Sequence, residues 1–583
     1  MIRKLVVLAI GCSVLAALLV SGGPAAAQSV LGCAMNTGNS QVSEKGRFEI
    51  GEAAVVELES NVDGSIIQIG FVRPDAPAGY RSPVILQASP YILSDLRDVD
   101  VSTCSPFMTE NFVRHGYTVA FVPTRGAGGT DSCADLMGPK ERSDLSQAVT
   151  WLGSQEWSNG NVGMTGASYD GSTPWEVAAT GNPHLKTIVP VSGIHDIYEF
   201  IYGQGHNDWR WWFFVAGYYH YYGMGQANPA GGRDPDRWAA SAMCDSTEEA
   251  LGATFESYLT GRHDSYGYWK ERNTNDEILK RYRGSVLLVQ GLQDWNVSPD
   301  HQHPFINELA SKGVYVEQML GQWDHAYPDS GHDVGPRGDY ADILLEWFDR
   351  WLKEDASADL GPTVEVQDSD LQWRTETAWP PTDVTGETLY LASNDTLADS
   401  PDKGEATAIL GPGTRNRFFY IITDNTFIYN DAPIDHYCAD CAMLTREMKD
   451  DLRLVGIPEL ELRVTPTGPG GFVAAYLIRV DKDGVWNLLG WGAGDVRFPN
   501  GRGPQEVEPG EEMKLRFPLQ PLDGIIHKGE QLVLVLDQGH ADHMPTAPFF
   551  PVELRYGGRL GALDFDTTQP AAGDFFKPRG IDG

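Results

Sequence analysis

Short apolar runs alternate with helical segments between residues 83 and 320, and this alternation constrains the fold more than any other feature of the sequence. Runs rich in Val, Ile and Leu lie at residues 83–87, 117–122, 161–165, 187–191, 286–290 and 314–320. Segments with helical spacing separate several of these runs. Continuous apolar strands joined by helices are typical of a parallel sheet that is covered on both faces. The sequence therefore predicts an α/β domain.

One long stretch within this region does not follow the alternation of strands and helices. Residues 196–283 lack strand patterns and are helical in spacing and rich in Trp and Tyr, so we expect a helical cap inserted into the sheet domain. Arg210 and His220 interrupt the aromatic run, which excludes a membrane-spanning helix at this point. An amphipathic helix at 339–353 closes the domain, and we expect the domain to extend over 28–361.

The sequence after residue 361 has a different character. Short strand patterns, the first at 363–366, are separated by turns rich in Gly, Pro and Asn. Repeated short strands without helices are typical of a β-sandwich or jelly roll. We therefore expect a second, all-β domain at 362–583. Its segment Asp481–Gly484 resembles the start of a calcium loop but lacks the acidic twelfth residue, so a hairpin turn is the preferred interpretation.

The N-terminus has the three parts of a secretory signal peptide. Arg3 and Lys4 form a basic start, Leu5–Val20 is an uncharged apolar run, and Ala25–Ala27 supplies an Ala-x-Ala cleavage site. The sequence predicts that residues 1–27 are removed and that the mature protein is secreted.

The cysteine content agrees with export. Six cysteines remain after the predicted cleavage: Cys33, Cys104, Cys133, Cys244, Cys438 and Cys441. An even number in an exported chain predicts disulfides, but six cysteines allow 15 pairings and the sequence does not choose among them. Cys438 and Cys441 have the C-x-x-C spacing of a zinc or redox site. A local disulfide is the preferred interpretation because no second such pair and no His pair lies nearby.

The charge balance limits the partners that we expect. The chain has 44 Lys and Arg residues against 80 Asp and Glu residues, a formal charge of -36. Phosphate binding needs a basic face, so we expect no nucleic-acid partner and no attraction to an anionic membrane surface. No cofactor or metal is predicted, and no membrane association is expected after signal cleavage. Whether the protein forms a homo-oligomer is left open.

The motif with the clearest chemical meaning is Gly-Ala-Ser-Tyr-Asp-Gly at 166–171. It departs from G-x-S-x-G by one residue, because the second Gly stands at 171 and not at 170. It follows a predicted strand and precedes a predicted helix, which is the context of a nucleophile elbow. A serine in so sharp a turn needs small neighbours. Ser168 is therefore the predicted nucleophile.

A serine nucleophile needs a base and an acid that orients the base. In folds with a nucleophile elbow these residues follow in the order Ser, Asp or Glu, then His, in loops after late strands. Asp294 is the acid in the loop after the strand at 286–290, and His325 lies in the loop after the strand at 314–320. We predict Asp294 as the orienting acid and His325 as the general base.

Acyl transfer also needs hydrogen-bond donors for the developing oxyanion. One donor should be the backbone N–H of Tyr169, the residue after the serine. The second should come from the loop Ala88–Tyr91, which follows the strand at 83–87 and lacks a His-Gly-Gly motif. We therefore expect the phenol of Tyr91 to serve as the second donor.

Taken together, these motifs resemble those of the Xaa-Pro dipeptidyl-peptidases (peptidase family S15) and of cocaine-esterase-like serine hydrolases. The resemblance is carried by Ser-Pro-Tyr at 89–91, Gly-Ala-Ser-Tyr-Asp-Gly at 166–171, Ser-Gly-Ile at 192–194, Gly-Leu-Gln-Asp-Trp-Asn-Val at 291–297 and Gln-Trp-Asp-His at 322–325. It implies an α/β-hydrolase domain with a helical cap, followed by a C-terminal jelly roll. It also implies the same triad and the same two oxyanion donors.

Within this resemblance, Asp-Trp-Asn-Val at 294–297 is closer to the peptidase branch. This implies an enzyme that releases N-terminal dipeptides with proline second, and an esterase or amidase for small acyl substrates is the alternative. A dipeptidyl-peptidase needs a carboxylate for the free amine and an apolar wall for proline. The candidates, chosen by their location in the chain, are Asp196, Glu199, Asp208, Trp209 and Trp295. A silent hydrolase fold used for binding is disfavoured, because the triad is complete.

Overall fold

The computed structural model of the protein describes residues 33, 37–92, 94–202, 244–260, 267–294, 296–330, 337–411, 441–499, 505–538, 550–559, 561–568 and 574–578. Within these residues the chain forms one sheet of 11 strands and one of 12 strands. In this part of the chain, no helix is long and apolar enough to cross a membrane.

The strands and helices are numbered in chain order. The strands are β1 (Glu49–Glu59), β2 (Ile66–Asp75), β3 (Ser82–Ser89), β4 (Thr118–Pro123), β5 (Ser158–Ala167), β6 (Leu185–Val191), β7 (Ser285–Gly291), β8 (Tyr315–Gly321), β9 (Val364–Gln367), β10 (Trp373–Glu376), β11 (Thr385–Ala392), β12 (Thr396–Ala398), β13 (Ala406–Leu410), β14 (Ala442–Glu447), β15 (Leu452–Pro466), β16 (Phe472–Val480), β17 (Trp486–Asp495), β18 (Met513–Pro518), β19 (Leu522–Ile526), β20 (Gln531–Asp537), β21 (Val552–Tyr556), β22 (Gly561–Thr568) and β23 (Asp574–Phe576). The helices are α1 (Pro106–Phe112), α2 (Pro139–Ser154), α3 (Tyr169–Thr180), α4 (Ile197–Tyr202), α5 (Asp245–Thr260), α6 (Gly267–Lys270), α7 (Asn275–Arg281), α8 (Gln302–Ser311) and α9 (Tyr340–Leu352).

The first sheet confirms the predicted α/β class. Its order is β1-β2-β4-β3-β5-β6-β7-β8-β9-β10-β23, and every pair from β4 to β9 is parallel. The central strands are buried along almost their whole length, as their continuous apolar runs require. Because parallel strands point the same way, the loops after β3, β5, β7 and β8 meet at one edge of the sheet.

The first sheet also includes strands from beyond residue 361. The strand pattern at 363–366 was expected in the second domain, but it forms β9 and pairs in parallel with β8. β10 and β23 then extend the same edge in antiparallel fashion. Val364 and Val366 pack in one apolar cluster with Leu320 from β8 and with Trp379. By pairing with β8, β9 covers an edge of the parallel sheet that would otherwise present unpaired backbone groups.

The second sheet confirms the all-β character of the C-terminal part. It contains β11 to β22, which pair antiparallel apart from one parallel bridge between β12 and β14. The predicted hairpin turn at Asp481–Gly484 joins β16 to β17, with the Asp481 N–H bonded to the Val485 carbonyl at 3.0 Å. Alternate residues of β15 and β22 point into its apolar core.

Two disulfides join described residues, and the sequence alone could not predict their pairing. Cys33 bonds to Cys104, and Cys133 bonds to Cys244 at the start of α5. Cys441 is also disulfide-bonded, while Cys438 and the predicted signal peptide lie outside the described residues. Disulfides persist in oxidising compartments, so both bridges are compatible with export. The described part of 196–283 consists of α4 to α7 and is helical, as predicted.

Candidate active site

Ser168 lies in the sharp turn between β5 and α3. Its backbone has φ +62° and ψ −126°, a conformation that is strained for any residue other than glycine. The Ser168 N–H bonds to the Val191 carbonyl at 3.0 Å, and its own carbonyl accepts from the Ser172 N–H at 3.0 Å. Such a strained serine between a strand and a helix has the geometry of a nucleophile elbow.

The glycines around Ser168 explain why the motif departs from G-x-S-x-G. A Cβ added at Gly166 would lie 2.5 Å from the Asp170 Cβ, so Asp170 is accommodated because residue 166 has no side chain. A Cβ at Gly171 would lie 2.4 Å from the Val191 carbonyl oxygen. One at Gly193 would lie 2.2 Å from the Gly171 carbonyl oxygen. The second glycine therefore stands at 171, because that position faces the end of β6.

Asp294 and His325 meet at the carboxyl ends of β7 and β8. The His325 Nδ1 lies 2.9 Å from the Asp294 Oδ2. Asp294 is fully buried, and its other oxygen accepts from the backbone N–H groups of Asn296 at 2.9 Å and Val297 at 2.8 Å. Two backbone donors thus hold the carboxylate in the orientation that reaches the imidazole.

The electrostatics of His325 follow from this contact. Burial opposes its positive charge, but the charge and hydrogen bond of Asp294 outweigh burial, and the pKa of His325 is raised above its ordinary value. Its side chain is 18% exposed, so part of the ring is accessible to solvent. An imidazole whose Nδ1 proton is held by a carboxylate can accept a proton at Nε2.

The two predicted oxyanion residues flank the elbow. The Tyr91 hydroxyl lies 3.5 Å from the Ser168 Oγ, and the Tyr91 N–H bonds to the Ser89 Oγ at 3.0 Å. Tyr169 is the first residue of α3, where backbone N–H groups have no partner within the helix. Its buried phenol donates to Glu141 at 2.7 Å and accepts from the Met137 N–H at 2.9 Å.

The C-terminal part of the chain braces the loops that carry Asp294 and His325. The Gln322 side-chain amide donates to the Gln367 carbonyl at 2.9 Å and to the Asp523 carbonyl at 3.4 Å. The Gln520 amide donates to the Ser298 Oγ at 3.0 Å. Because β19 contains Asp523, the second sheet contributes directly to the position of the loop after β8.

Two of the five residues proposed for substrate binding are described. Asp196 precedes α4, and one of its carboxylate oxygens accepts from the N–H groups of Tyr198 at 3.0 Å and Glu199 at 3.2 Å. Its second oxygen bonds to the Asn273 side chain. These contacts give Asp196 a capping role at the start of α4. Glu199 is half-buried in the same helix, while Asp208, Trp209 and Trp295 lie outside the described residues.

The sequence analysis did not identify three polar residues that lie close to the site. Glu141 holds the phenol of Tyr169, Gln322 connects the loop after β8 to the second sheet, and Asp170 is buried beside Ser168. A sequence signal exists for Asp170 alone, because it occupies the position where the elbow pattern expects glycine. The partners of Glu141 and Gln322 are distant in the sequence, so no local pattern could have indicated them.

Comparisons with known proteins match both parts of the chain. Residues 63–327 match the family model described as X-Pro dipeptidyl-peptidase (S15 family). Residues 357–551 match the model of the X-Pro dipeptidyl-peptidase C-terminal non-catalytic domain. The two matches are adjacent and together span most of the chain.

Individual relatives agree with these matches. A Streptomyces avermitilis protein with the provisional name Xaa-Pro dipeptidyl-peptidase is 27% identical over 475 residues, which cover 75% of this chain and 65% of that protein. The cocaine esterase of Rhodococcus sp. is 23% identical over 537 residues, which cover 84% of this chain and 90% of that enzyme.

A solved structure supports the fold over nearly the full length. The crystal structure of an aminopeptidase from a marine sediment Thaumarchaeota archaeon has a TM-score of 0.72 at 18% identity. The similarity covers 89% of this chain and 97% of that one. Two successive parts of the chain therefore match domains of the X-Pro dipeptidyl-peptidase (S15) family.

Proposed function

We propose that this protein is an exported Xaa-Pro dipeptidyl-peptidase that acts through Ser168, Asp294 and His325. The observation that carries the proposal is the hydrogen bond of 2.9 Å between His325 and Asp294, at the same sheet edge as a strained serine. The Tyr91 hydroxyl, 3.5 Å from the Ser168 Oγ, adds a donor at the point where an acyl oxygen would become charged.

The reaction follows from these positions. His325 holds its Nδ1 proton towards Asp294 and accepts the Ser168 proton at Nε2, while the serine Oγ attacks the carbonyl carbon of the substrate. The Tyr91 hydroxyl and the Tyr169 N–H donate to the oxyanion. His325 then returns the proton to the leaving amine, which departs and leaves an acyl-enzyme. Water, deprotonated by His325, attacks the acyl carbon; the bond to the Ser168 Oγ breaks, His325 returns the proton to the serine, and the dipeptide is released.

The peptidase specificity is supported by the family matches and by Glu199 in α4, a helix whose apolar residues pack with Tyr91 and Tyr169. An N-terminal dipeptide presents a free ammonium group, and a carboxylate near the elbow would favour its binding. The carboxylate of Asp196 also accepts from backbone and side-chain donors, and both Asp196 and Glu199 remain candidate amine anchors. Asp208 remains a candidate amine anchor, and Trp209 and Trp295 remain candidate walls for the proline ring.

A second candidate is an esterase or amidase for small acyl substrates. The long match to the Rhodococcus cocaine esterase, over 84% of this chain, favours it. Both candidates use the same serine, so a variant of Ser168 cannot distinguish them.

The distinguishing experiment compares three substrates with the purified mature protein. Ala-Pro-p-nitroanilide tests the peptidase, its N-acetylated form tests the need for a free amine, and p-nitrophenyl butyrate tests the esterase. We expect turnover of the free dipeptide anilide and its loss on acetylation, with all activity abolished in Ser168→Ala. Turnover of the ester alone would assign the protein to the second candidate. Full activity of Ser168→Ala would overturn the assigned nucleophile.

A further inference from the structure

Asp170 is a buried carboxyl group next to the nucleophile, and the proposed reaction does not use it. It lies two residues after Ser168 in the first turn of α3 and is 2% exposed. Its Oδ2 accepts from the Gln87 side-chain amide at 3.2 Å, and the nearby Ser89 hydroxyl partly offsets the effect of burial on the pKa of the carboxyl. Both of these partners are uncharged, so a negative charge on Asp170 would be buried without a cation to balance it.

Two atoms in this cluster are acceptors without donors. Within the part of the chain that the structure describes, the Asp170 Oδ1 and the Gln87 Oε1 are buried and have no hydrogen-bond partner. These atoms belong to the same two side chains that are already joined through the Gln87 Nε2. Buried polar atoms are rarely left unsatisfied. One proton on the Asp170 Oδ1 supplies the donor that this pair of acceptors lacks. Burial acts in the same direction, because it raises the pKa of Asp170 to about 8.

The cluster is connected to the predicted oxyanion donor. The Ser89 hydroxyl lies near Asp170, and its Oγ accepts the Tyr91 N–H at 3.0 Å. One turn further along α3, the Thr173 hydroxyl donates to the Ala88 carbonyl at 3.1 Å. The loop that carries Tyr91 is therefore anchored to the same helix turn that carries Ser168.

We propose that Asp170 is a neutral carboxylic acid in the folded protein, paired with the Gln87 amide, and that this pair positions the Tyr91 hydroxyl against Ser168. Asp170 is a positioning residue, since it acts through Ser89 and Tyr91 and does not contact the substrate. The inference rests on the proposed function in one respect, which is that Ser168 is the nucleophile.

We expect the Asp170–Gln87 pair to be lost at alkaline pH. Ionisation of Asp170 removes the proton that joins it to Gln87 and leaves an uncompensated charge under the Tyr91 loop. The titratable group that faces Asp170 from the loop after β8 is Tyr327, and burial raises the pKa of its phenol well above the ordinary value. Tyr327 therefore stays neutral while Asp170 titrates. The reactivity of Ser168 should fall as the pH rises through the pKa of Asp170.

The test measures the rate at which a fluorophosphonate labels Ser168, because that rate does not depend on the natural substrate. Asp170→Asn keeps the shape of a neutral acid and supplies an N–H to Gln87, whereas Asp170→Ala removes the pair. Glu317→Gln is the matched control. Glu317 is another buried carboxyl whose pKa burial raises to about 8, but it lies near the opposite end of β8 from His325.

We expect Asp170→Ala to label about ten-fold more slowly than the wild type at neutral pH, and Asp170→Asn to restore the rate. We also expect the wild type and Glu317→Gln to lose reactivity above about pH 8, and Asp170→Asn to lack that loss. An alkaline loss that persists in Asp170→Asn would overturn the proposal, and this comparison holds even where Asp170→Ala does not fold. Failure of the proposed function is recognised separately, as a wild type that labels no faster than Ser168→Ala.

Discussion

Replacing Asp170 with Asn should stabilise the protein at neutral pH, although the acid is native. In the unfolded chain the carboxyl has its ordinary pKa of 3.8, whereas burial raises the pKa to about 8 in the folded state. Folding at pH 7 must therefore add a proton to a group that is otherwise ionised. One pKa unit corresponds to about 1.36 kcal/mol, so a gap of roughly 3 units between pH 7 and the ordinary pKa costs about 4 kcal/mol. Asn is neutral in both states and avoids this cost.

The sign of the pH dependence follows from the raised pKa. Between about pH 4 and pH 8 the unfolded state holds fewer protons than the folded state at this site, so the Asp170 contribution to stability falls as the pH rises. The stability difference between Asp170→Asn and the wild type should be small near pH 4. It should grow to about 4 kcal/mol at pH 7 and level off above about pH 8.

Urea unfolding followed by tryptophan fluorescence measures this difference, with the disulfides intact. The chain has 16 tryptophans, and Trp175 is fully buried in the same helix as Asp170. Asp450→Asn is the control, because its side chain is 91% exposed and its charge is solvated in both states. A constant difference between Asp170→Asn and the wild type from pH 5 to pH 8 would refute the reasoning, as would a variant less stable than the wild type at pH 7.

Three further predictions concern the active site and the second sheet. Tyr91→Phe should lower kcat by about 10²–10³-fold with little change in KM, because it removes one oxyanion donor; unchanged steady-state kinetics would remove the hydroxyl from the mechanism. The acid limb of the pH–rate profile should lie above the ordinary pKa of histidine, 6.5, because the pKa of His325 is raised. Asp294→Asn should shift that limb to lower pH, and a limb that does not move would separate Asp294 from His325. Arg453→Met should destabilise the protein by about 3–5 kcal/mol in thermal or urea unfolding, because Asp523 then stays buried without its cation; a change below about 1 kcal/mol would show that Asp523 finds another donor.

Local sequence patterns were sufficient to predict the sheet edge at which Ser168, Asp294 and His325 lie. Ser168 stands between an apolar strand and a helix, and both elements leave a periodic signal over a few residues. Asp294 and His325 follow the late strands at 286–290 and 314–320. Because the carboxyl ends of parallel strands share one edge, loop position alone brings these two residues together.

Sequence patterns do not predict contacts between residues that are far apart in the chain. The strand at 363–366 has the same appearance whether it joins the first sheet or the second, and its pairing with β8 is set by apolar packing around Trp379. The Gln322 amide reaches the carbonyl of Asp523, 201 residues away in the chain. The Asp196 carboxylate bonds to the side chain of Asn273, 77 residues away in the chain, and no local pattern indicates this contact.

The sequence by itself determined the α/β class, the order of Ser168, Asp294 and His325, and the strand-rich C-terminal part, because hydrophobic periodicity and turn residues act between near neighbours. Only the tertiary structure decided which cysteines pair, which sheet receives β9, and that Asp170 is enclosed with Gln87. These features depend on burial and on contacts across long stretches of chain. The sequence does not show whether a carboxyl group is surrounded by water or by an apolar core. That environment decides its charge.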